Sequence, residues 1–295
     1  MRAPDPQHAA AYLTEIMGLR RTLEGNDRVF LSCNDKHHEI EFLAGDHAAV
    51  DHLGLEVESE ADLERLREAI LADGQEIVED SVDEPGLGRA FRATTPAGAV
   101  FEIYTAMERE PLSIRHYMPP LARRFGHVSF GCPDPAEMER FLVDVLGFRV
   151  TDRLFDRRWL RCGVEHHGIA LFESERTFPF LHHYAFQMEN WGAIERYCDH
   201  LAFLGKPLVW GPGRHGPGRN IYTYLPDPQN TIVEAYTDLL EVFDEAAYEP
   251  IDWTDSGYAA LNLWGPGPPP EWRDYGIPLA TPEVARTPDT PEVHA

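Results

Sequence analysis

Apolar residues recur at helical spacing after each of two Asp-Pro pairs, at positions 5–6 and 134–135. After the second pair the apolar positions on one helical face are Met138, Phe141, Leu142 and Val145. The pattern stops at Gly147. Aspartate before a first-turn proline commonly begins a helix, and glycine commonly ends one. The pattern therefore predicts a helix over 135–146 and a matching helix in the first half.

The segments between the helices are short, apolar and bounded by turn residues, which is typical of β-strands. In the second half they predict strands at about 148–155, 158–162, 167–172 and 182–188, and around 208, 221 and 232. A second helix is predicted from Trp191 to Leu204, ending at Gly205. A helix followed by several strands, taken twice in each half, gives βαβββ units.

The two halves of the chain repeat one another. The Asp-Pro pairs lie 134 − 5 = 129 residues apart. His52 matches His183 at an offset of 183 − 52 = 131, and Glu102 matches Glu234 at 234 − 102 = 132. A slowly growing offset is what small loop insertions produce. The sequence therefore predicts an α+β protein built from tandem βαβββ modules.

The first module differs from the second at its start. The second module has a strand from Phe125 to Phe130 before its helix, whereas the first module begins almost at Asp5. The first module is therefore predicted to lack its first strand and to leave an unpaired sheet edge. Because nothing there matches His127, this module is predicted to be structural, although His52 and Glu102 repeat two residues of the second.

These features divide the chain into three regions. Residues 1–110 are expected to form the N-terminal structural module, and 111–240 the C-terminal catalytic module with a metal site. Residues 241–295 are expected to be an extension that covers the site and ends in a mobile tail rich in Pro, Thr and acidic residues. A linker is predicted over 106–124.

Three strands carry metal-ligand side chains in apolar surroundings. His127 lies in a G-H-V-S-F run, His182 and His183 begin H-H-Y-A-F, and Glu234 lies in I-V-E-A-Y. A carboxylate pointing inward from such a strand must be paired, protonated or metal-bound. Two histidines and one carboxylate form the facial triad that binds non-haem Fe(II) and leaves one face open. Strand alternation favours His183, because it shares the H-x-x-F spacing of His127.

Composition narrows the classes of function. The net charge of −24 argues against nucleic acid as a partner, because phosphate contacts need clustered Lys and Arg. The four cysteines are far apart without a C-x-x-C pair, which argues against a disulfide framework or a structural zinc. No apolar run reaches the length of a membrane span, and the N-terminus has no signal-peptide pattern. A cytoplasmic protein is expected.

A spacing near the carboxylate points to a family. His215 lies in a G-P-G-R-H-G turn, Tyr224 follows at 224 − 215 = 9, and Glu234 at 234 − 224 = 10. Together with the repeat and the two strand histidines, this resembles the type I extradiol ring-cleaving catechol dioxygenases of the vicinal oxygen chelate (glyoxalase-like) superfamily. The resemblance is closest to the homoprotocatechuate 2,3-dioxygenase branch.

The resemblance implies a metal centre and a reaction. His127, His183 and Glu234 would hold Fe(II), or Mn(II) in its place. The activity would be extradiol (meta) cleavage of a catechol by O₂, giving a hydroxymuconate-semialdehyde-type product. The small-molecule partners would be the catechol and O₂, without a flavin, haem or nicotinamide.

The resemblance also implies three catalytic residues. His167 matches the family's acid/base histidine, although His38 stands at the same place in the first module, where no metal is expected. Tyr224 would hydrogen-bond a metal-bound substrate oxygen, and His215 would act behind it as a donor.

Four positions are expected to line the substrate pocket. Trp159 and Tyr236 keep aromatic residues of the resembling family, whereas Trp210 and Leu261 stand where its homoprotocatechuate branch has arginines for the substrate carboxylate. Losing two guanidinium groups disfavours a charged side chain. The expected substrate is a neutral 3- or 4-substituted catechol or a bicyclic diol, with a poor response to homoprotocatechuate.

Two other functions are compatible with the repeated fold. One is a glyoxalase-like, metal-dependent isomerase or lyase, and the other is a metal-free ligand-binding protein. The first usually takes ligands from both modules, and the second has no need for three ligands together with His167 and Tyr224. The resemblance further implies a homo-oligomer, either a dimer or a tetramer.

Overall fold

Both Asp-Pro helices form where the apolar pattern predicts them. The structure is a computed structural model that describes residues 1–111 and 122–279. The side chain of Asp5 caps the first helix by accepting a hydrogen bond from the backbone N–H of His8, and Gly18 ends it with a φ of 72°. The second helix is capped in the same way, but its last turn is a π-helix rather than an α-helix.

The first module follows the predicted order of elements. They are β1 (Arg2–Ala3), α1 (Pro6–Met17), β2 (Arg20–Glu24), β3 (Arg28–Ser32), β4 (Ile40–Ala44), β5 (Leu53–Glu56), α2 (Glu60–Ala72), β6 (Ile77–Glu79), β7 (Ala90–Thr94) and β8 (Val100–Tyr104). They form two four-stranded sheets, in the orders β1-β4-β3-β2 and β5-β8-β7-β6.

The second module repeats this order with longer strands. Its elements are β9 (Ala122–Cys132), α3 (Pro135–Arg140) with the π-helical turn Phe141–Val145, β10 (Arg149–Leu154), β11 (Arg157–Arg161), β12 (Ile169–Glu173), β13 (Phe180–Met188), α4 (Trp191–Phe203), β14 (Trp210–Arg214), β15 (Ile221–Pro226) and β16 (Ile232–Thr237). The tandem βαβββ prediction is confirmed, and each predicted strand of this half is present.

The C-terminal extension adds short elements to the second module. They are β17 (Ile251–Asp252), the 3₁₀-helical segments Thr254–Leu261 and Pro270–Arg273, and β18 (Ile277–Pro278). One large sheet runs β14-β15-β16-β13-β9-β12-β11-β10-β17, and β18 pairs with β13. The antiparallel pair β9 and β13 joins the two βαβββ units of this module into one continuous surface.

The opening strand of the first module requires one correction. Arg2 and Ala3 pair in parallel with Leu43 and Ala44, as Gly131 and Cys132 pair with Phe172 and Glu173 in the second module. The strand predicted to be missing is therefore present for two residues, too few to leave a sequence pattern. Neither of these two residues, Arg2 and Ala3, is a counterpart of His127.

The C-terminal extension pairs with backbone of both modules. Ile277 pairs with Leu181 of β13, and the backbone N–H of Val50 donates to the carbonyl of Pro278 at 2.9 Å. Leu279 forms a parallel bridge with Val50. The extension thus supplies hydrogen-bond partners to the backbone of β13 and of the segment before β5.

The large sheet separates an apolar face from a polar one. On β9, Val128 and Phe130 belong to the hydrophobic core, whereas His127 and Ser129 point to the opposite face. Strand alternation produces this division, since neighbouring side chains lie on opposite sides. The candidate site therefore lies on the polar face of the second module's sheet.

Part of two predicted segments lies outside the described residues: 112–121 of the linker and the tail from 280 onward. None of the helices in the described ranges is sufficiently long and apolar to cross a membrane.

Candidate metal centre

The three predicted ligands meet on adjacent strands. Ala185 of β13 pairs with His127 of β9 on one side and with Glu234 of β16 on the other. His183 lies on the same face of β13 as Ala185. Nε2 of His127 is 3.0 Å from Oε2 of Glu234, and Nε2 of His183 is 3.5 Å from the same oxygen. One ligand atom from each residue lies within 4.8 Å of the other two.

The residues at this place fit a divalent metal ion. Glu234 is fully buried and His127 is 2% exposed. One oxygen of Glu234 accepts a hydrogen bond from Nδ2 of Asn220 at 3.1 Å, which leaves the other oxygen directed at the two imidazoles. A buried carboxylate needs a compensating positive charge. Two imidazole nitrogens and one carboxylate oxygen are the donor set of a facial triad for Fe(II) or Mn(II).

A chain of hydrogen bonds fixes the tautomer of His183. Nε2 of His182 is 3.0 Å from the backbone carbonyl of Trp272, so this nitrogen carries the proton. Nδ1 of His182 must then accept from Nδ1–H of His183 at 2.9 Å. Nε2 of His183 is left with a free lone pair toward Glu234. Burial and the charge of His182 lower the pKa of His183 well below its usual value, which keeps the imidazole neutral for a metal.

His167 is held in the same manner by its neighbour. Nε2 of His166 lies 3.1 Å from Oδ2 of Asp152, and Nδ1 of His166 faces Nδ1 of His167 at 3.0 Å. His167 therefore donates through Nδ1, and its Nε2 carries a lone pair. Its ring centroid is 4.3 Å from that of His127. Burial, followed by the charge of His127, lowers the pKa of His167 well below its usual value, so the residue is a neutral base.

Tyr224 and His215 form a directed pair. Nδ1–H of His215 donates to the carbonyl of Leu261 at 2.6 Å, so Nε2 accepts from the hydroxyl of Tyr224 at 2.9 Å. Burial lowers the pKa of His215 to about 4 and raises that of Tyr224. The sequence predicts that His215 is a hydrogen-bond donor, and in the structure it donates to the carbonyl of Leu261. Toward Tyr224 this histidine is an acceptor, because the carbonyl takes its only proton.

Aromatic rings form one wall of the site. Trp210 stacks on Tyr224 with centroids 5.6 Å apart, and Trp272 packs edge-on against both, at 5.2 and 4.7 Å. Leu261 packs against this group, and its role in substrate binding stays a prediction. Trp272 comes from the C-terminal extension and was overlooked as a pocket residue, because its Pro-rich segment has no periodic pattern.

Tyr236 packs beside the metal ligand His127. Its ring centroid lies 4.9 Å from that of His127, and its ring fills the space beside Gly126. Trp159 lies on β11, paired with Ala170 of β12. The structure thus gathers the predicted pocket positions 159, 210, 236 and 261 on the second module and its extension.

A residue that the sequence argument overlooked also lies on β11. Arg157 precedes Trp159 by two residues and therefore shares its face of the strand. Its guanidinium carbon is 5.2 Å from the ring centroid of Phe172 and 5.9 Å from that of Tyr258. The sequence signal for Arg157 is its spacing, because a residue two positions before Trp159 lies on the same face of the strand.

In the first module an arginine occupies the corresponding centre. Arg92 pairs with Glu102 across β7 and β8 in the register that Tyr224 and Glu234 have across β15 and β16. Arg92 contacts Glu102 at 2.7 Å and Glu84 at 2.8 Å. Glu41, His52 and Glu84 also lie close enough to share an ion. Each of these carboxylates already contacts an arginine, which favours a structural role for this module, and that role stays a prediction.

The tandem βαβββ fold and a centre of two histidines and one carboxylate are features of a metal-dependent vicinal-oxygen-chelate protein. The chain belongs to the Glyoxalase/Bleomycin resistance protein/Dioxygenase superfamily, whose sequence profile matches residues 1–103 and 124–235. The two matched segments correspond to the two modules.

Individual relatives span nearly the whole chain. A manganese-dependent 2,3-dihydroxybiphenyl 1,2-dioxygenase of Geobacillus genomosp. 3 is 27% identical over 285 residues, 88% of this chain and 90% of the relative. The Mn(II)-bound glyoxalase from Novosphingobium aromaticivorans superposes with a TM-score of 0.83 at 26% identity, covering 97% and 95% of the two chains. Homoprotocatechuate 2,3-dioxygenase from Arthrobacter globiformis has the same fold, with a TM-score of 0.86 at 24% identity and coverage of 97% and 92%.

Proposed function

We propose that this protein is an extradiol dioxygenase that cleaves a catechol next to its diol with O₂. The observation that carries the proposal is the triad of His127, His183 and Glu234 with two hydrogen-bonding side chains, His167 and Tyr224, at its edge. The reaction is balanced without an external reductant, because both oxygen atoms enter the ring-opened semialdehyde acid and the catechol supplies the electrons.

The metal ion supplies chemistry that the side chains lack. Fe(II), or Mn(II) in its place, would be held by His127, His183 and Glu234, would lower the pKa of a catechol hydroxyl and would supply the redox chemistry toward O₂. Mn(II) receives support from the relative named as manganese-dependent. The chain contributes three ligands on one side, and Trp210 and Trp272 restrict access of water.

His167 is suited to proton transfer at the reacting ring. Its Nδ1–H is committed to His166, so the free lone pair on Nε2 can take a proton from a substrate hydroxyl and later return it. The lowered pKa of this buried imidazole makes the proton easy to return. To accept the proton first, the imidazole of His167 must be neutral before the reaction. Its contact with His166 and its burial favour that neutral form.

Tyr224 is suited to orient a substrate oxygen. Its hydroxyl proton lies toward His215, so the phenol oxygen offers lone pairs to a substrate hydroxyl, with its ring centroid 5.3 Å from that of His183. The carbonyl of Leu261 fixes His215 and thereby the direction of the tyrosine proton.

Other expected properties complete the proposal. Trp210 and Leu261 favour an apolar part of the substrate against their wall. We expect a homo-oligomer, either a dimer or a tetramer, and light scattering after gel filtration would measure its size. The four unpaired cysteines support a cytoplasmic location.

A second candidate is isomerase chemistry of the glyoxalase type. The structural relative named as a Mn(II)-bound glyoxalase is the observation in its favour. The arginine-filled centre of the first module argues against ligands shared between modules.

Oxygen uptake tests the proposal. Protein loaded anaerobically with Fe(II) or Mn(II) is mixed with a panel of catechols while the absorbance of a yellow ring-opened product is followed. We expect one O₂ consumed per catechol. Metal-loaded protein that takes up no O₂ but converts a hemithioacetal to its thioester would favour the isomerase.

A further inference from the structure

Arg157 is a cation without a counter-ion on the described chain. Its Nε is buried and has no hydrogen-bond partner among residues 1–111 and 122–279. The two neighbouring arginines of β11 differ, since Arg158 contacts Glu139 at 2.6 Å and Arg161 contacts Glu245 at 2.5 Å. Arginine is usually buried only when it is paired. Arg157 is therefore the exception on its own strand.

The side chain of Arg157 faces the site rather than the core. Leu160 of the same strand belongs to the hydrophobic core, and alternation puts Arg157 and Trp159 on the other face. Phe172, which the guanidinium overlies, has its ring centroid 5.9 Å from that of His182. His182 in turn contacts the metal ligand His183.

The charge of Arg157 acts on the residues around the metal. It is one of the influences that lower the pKa of His182 and His183, after burial. No carboxylate of the described chain screens it at contact distance. The charge of Asp156 opposes the lowering of the pKa of Arg157 by burial, but the two groups form no ion pair, and Oδ2 of Asp156 accepts from the backbone N–H of Glu173 at 2.9 Å.

The arrangement suits a carboxylate that enters with the ligand. Phe172 and Tyr258 contact the guanidinium in cation–π geometry and hold it without using its N–H donors. Those donors match the two oxygens of a carboxylate. Burial lowers the pKa of Arg157, which is the direction expected for a positive charge that lacks its partner.

We propose that Arg157 binds an anionic substituent, a carboxylate, of the catechol substrate. This inference rests on the proposed ring-cleaving function and names its substrate class. It revises the expectation of a wholly neutral substrate, which considered only positions 210 and 261. Trp210 lies on β14 and Arg157 on β11, near opposite ends of the strand order. The apolar wall and the cationic wall therefore meet different parts of one ligand.

Matched pairs of catechols test the proposal. Each carboxylate is compared with a neutral analogue of similar shape: 2,3-dihydroxybenzoate with 3-methylcatechol, 3,4-dihydroxybenzoate with 4-methylcatechol, and 3-(2,3-dihydroxyphenyl)propionate with 3-propylcatechol. Dissociation constants are measured anaerobically on the metal-loaded protein, and kcat/KM is measured in air. We expect at least one carboxylate to bind about tenfold or more tightly than its neutral partner.

Substitutions distinguish a direct contact of Arg157 with the carboxylate from a general effect of positive charge. R157Q should remove the preference for that carboxylate, and R157K should keep part of it. R158Q is the control, because it removes the same charge from the adjacent position, where Glu139 is the partner. R158Q should leave the preference unchanged, and thermal unfolding of each variant shows that it is folded.

The outcomes distinguish this proposal from the proposed function. A preference for the neutral partner in every pair, or an unchanged preference in folded R157Q, would overturn the role of Arg157. Carboxylate-selective binding that R157Q abolishes, without O₂ uptake, would support the role of Arg157 and contradict the dioxygenase. O₂ uptake with neutral catechols alone would support the dioxygenase and contradict the anion site.

Discussion

Tyr224 and Arg92 occupy the same place in the two modules, each directly opposite the glutamate of its own centre. In the second module the tyrosine leaves the charge of Glu234 for a metal. In the first module the arginine neutralises Glu102 itself, with an ion-pair distance of 2.7 Å. Tyr224 and Glu234 therefore have structural counterparts, Arg92 and Glu102, that serve as internal controls.

Replacing Arg92 by leucine should strongly destabilise the first module. The change leaves Glu102 and Glu84, which are 2% and 7% exposed, without their shared cation. Breaking a buried ion pair costs about 3–5 kcal/mol. Urea unfolding measures the loss in free energy. Arg67→Leu, which breaks an exposed pair with Asp80, should cost far less than Arg92→Leu, because solvent screens an exposed pair. Equal losses for the two variants would contradict the buried-pair argument.

Glu234→Gln should remove the metal. The substitution takes one ligand charge from the centre while the hydrogen bond from Asn220 can persist. The affinity for Fe(II) or Mn(II) should fall by more than about a hundredfold, which exceeds the loss usual for a residue behind a ligand. Metal content after dialysis measures it. Glu102→Gln is the matched control and should keep the metal. Equal metal content in both variants would place the centre elsewhere.

His167→Asn should lower kcat without releasing the metal. Loss of a positioned acid or base costs about 10²–10⁴ in rate. His38→Asn makes the same change at the corresponding place of the first module, where the side chain lies near Glu84 at 3.5 Å. Steady-state O₂ uptake and metal content are measured for both variants, and only His167→Asn should lower kcat. Loss of metal from His167→Asn, or an unchanged kcat, would argue for a structural role.

His38 should make the protein less stable as the pH falls. Its pKa is lowered to about 3 by burial, followed by the positive charges of His37, His52 and Arg28. The unfolded chain takes up a proton near pH 6.5 and the folded chain does not, so stability present above pH 6.5 is lost between pH 6.5 and 3.

Between pH 8 and pH 5 the lowered pKa of His38 alone should reduce the free energy of unfolding by about 2 kcal/mol. His38→Gln should remove that part of the pH dependence, as measured by urea unfolding of metal-free protein at several pH values. His8→Gln, a change at the surface of α1, provides the comparison. A pH profile that His38→Gln leaves unaltered would contradict the assignment.

The sequence was sufficient for the features that repeat or alternate. The offset between Glu102 and Glu234 revealed the two modules, and strand alternation selected His183 over His182. The structure adds the reason for that selection, since the pairing of β13 with β9 shifts register between Leu181 and His183. His182 is thereby free to bond Trp272 and to fix the proton of the ligand.

Features without a period could not be predicted in this way. Two residues of β1 are too few to form a pattern, and Trp272 comes from a Pro-rich extension whose position depends on the whole fold. Strand alternation from Trp159 is sufficient to place Arg157 on the site face of β11. The family resemblance, by contrast, points only to positions 210 and 261 for the substrate carboxylate. The missing counter-ion becomes evident only when the neighbours of Arg157 in space are known.

Gly126→Ala should destabilise the protein through its contact with Tyr236. A Cβ at position 126 would overlap the hydroxyl and ring of Tyr236, whose ring packs against His127. Overpacking of this kind costs about 1–3 kcal/mol, and displacement of the ring should also weaken metal binding. Gly163→Ala is the control, because nothing lies within 4 Å of its added Cβ.

A double-mutant cycle identifies the cause of that loss. Tyr236→Ala removes the ring that the new Cβ would meet, so Gly126→Ala should cost much less in this background than in the wild type. Residues in contact are coupled by about 0.5–3 kcal/mol, which is well above the error of urea unfolding. The same cost in both backgrounds would show that backbone conformation at Gly126, rather than the space filled by Tyr236, requires glycine beside the metal ligand.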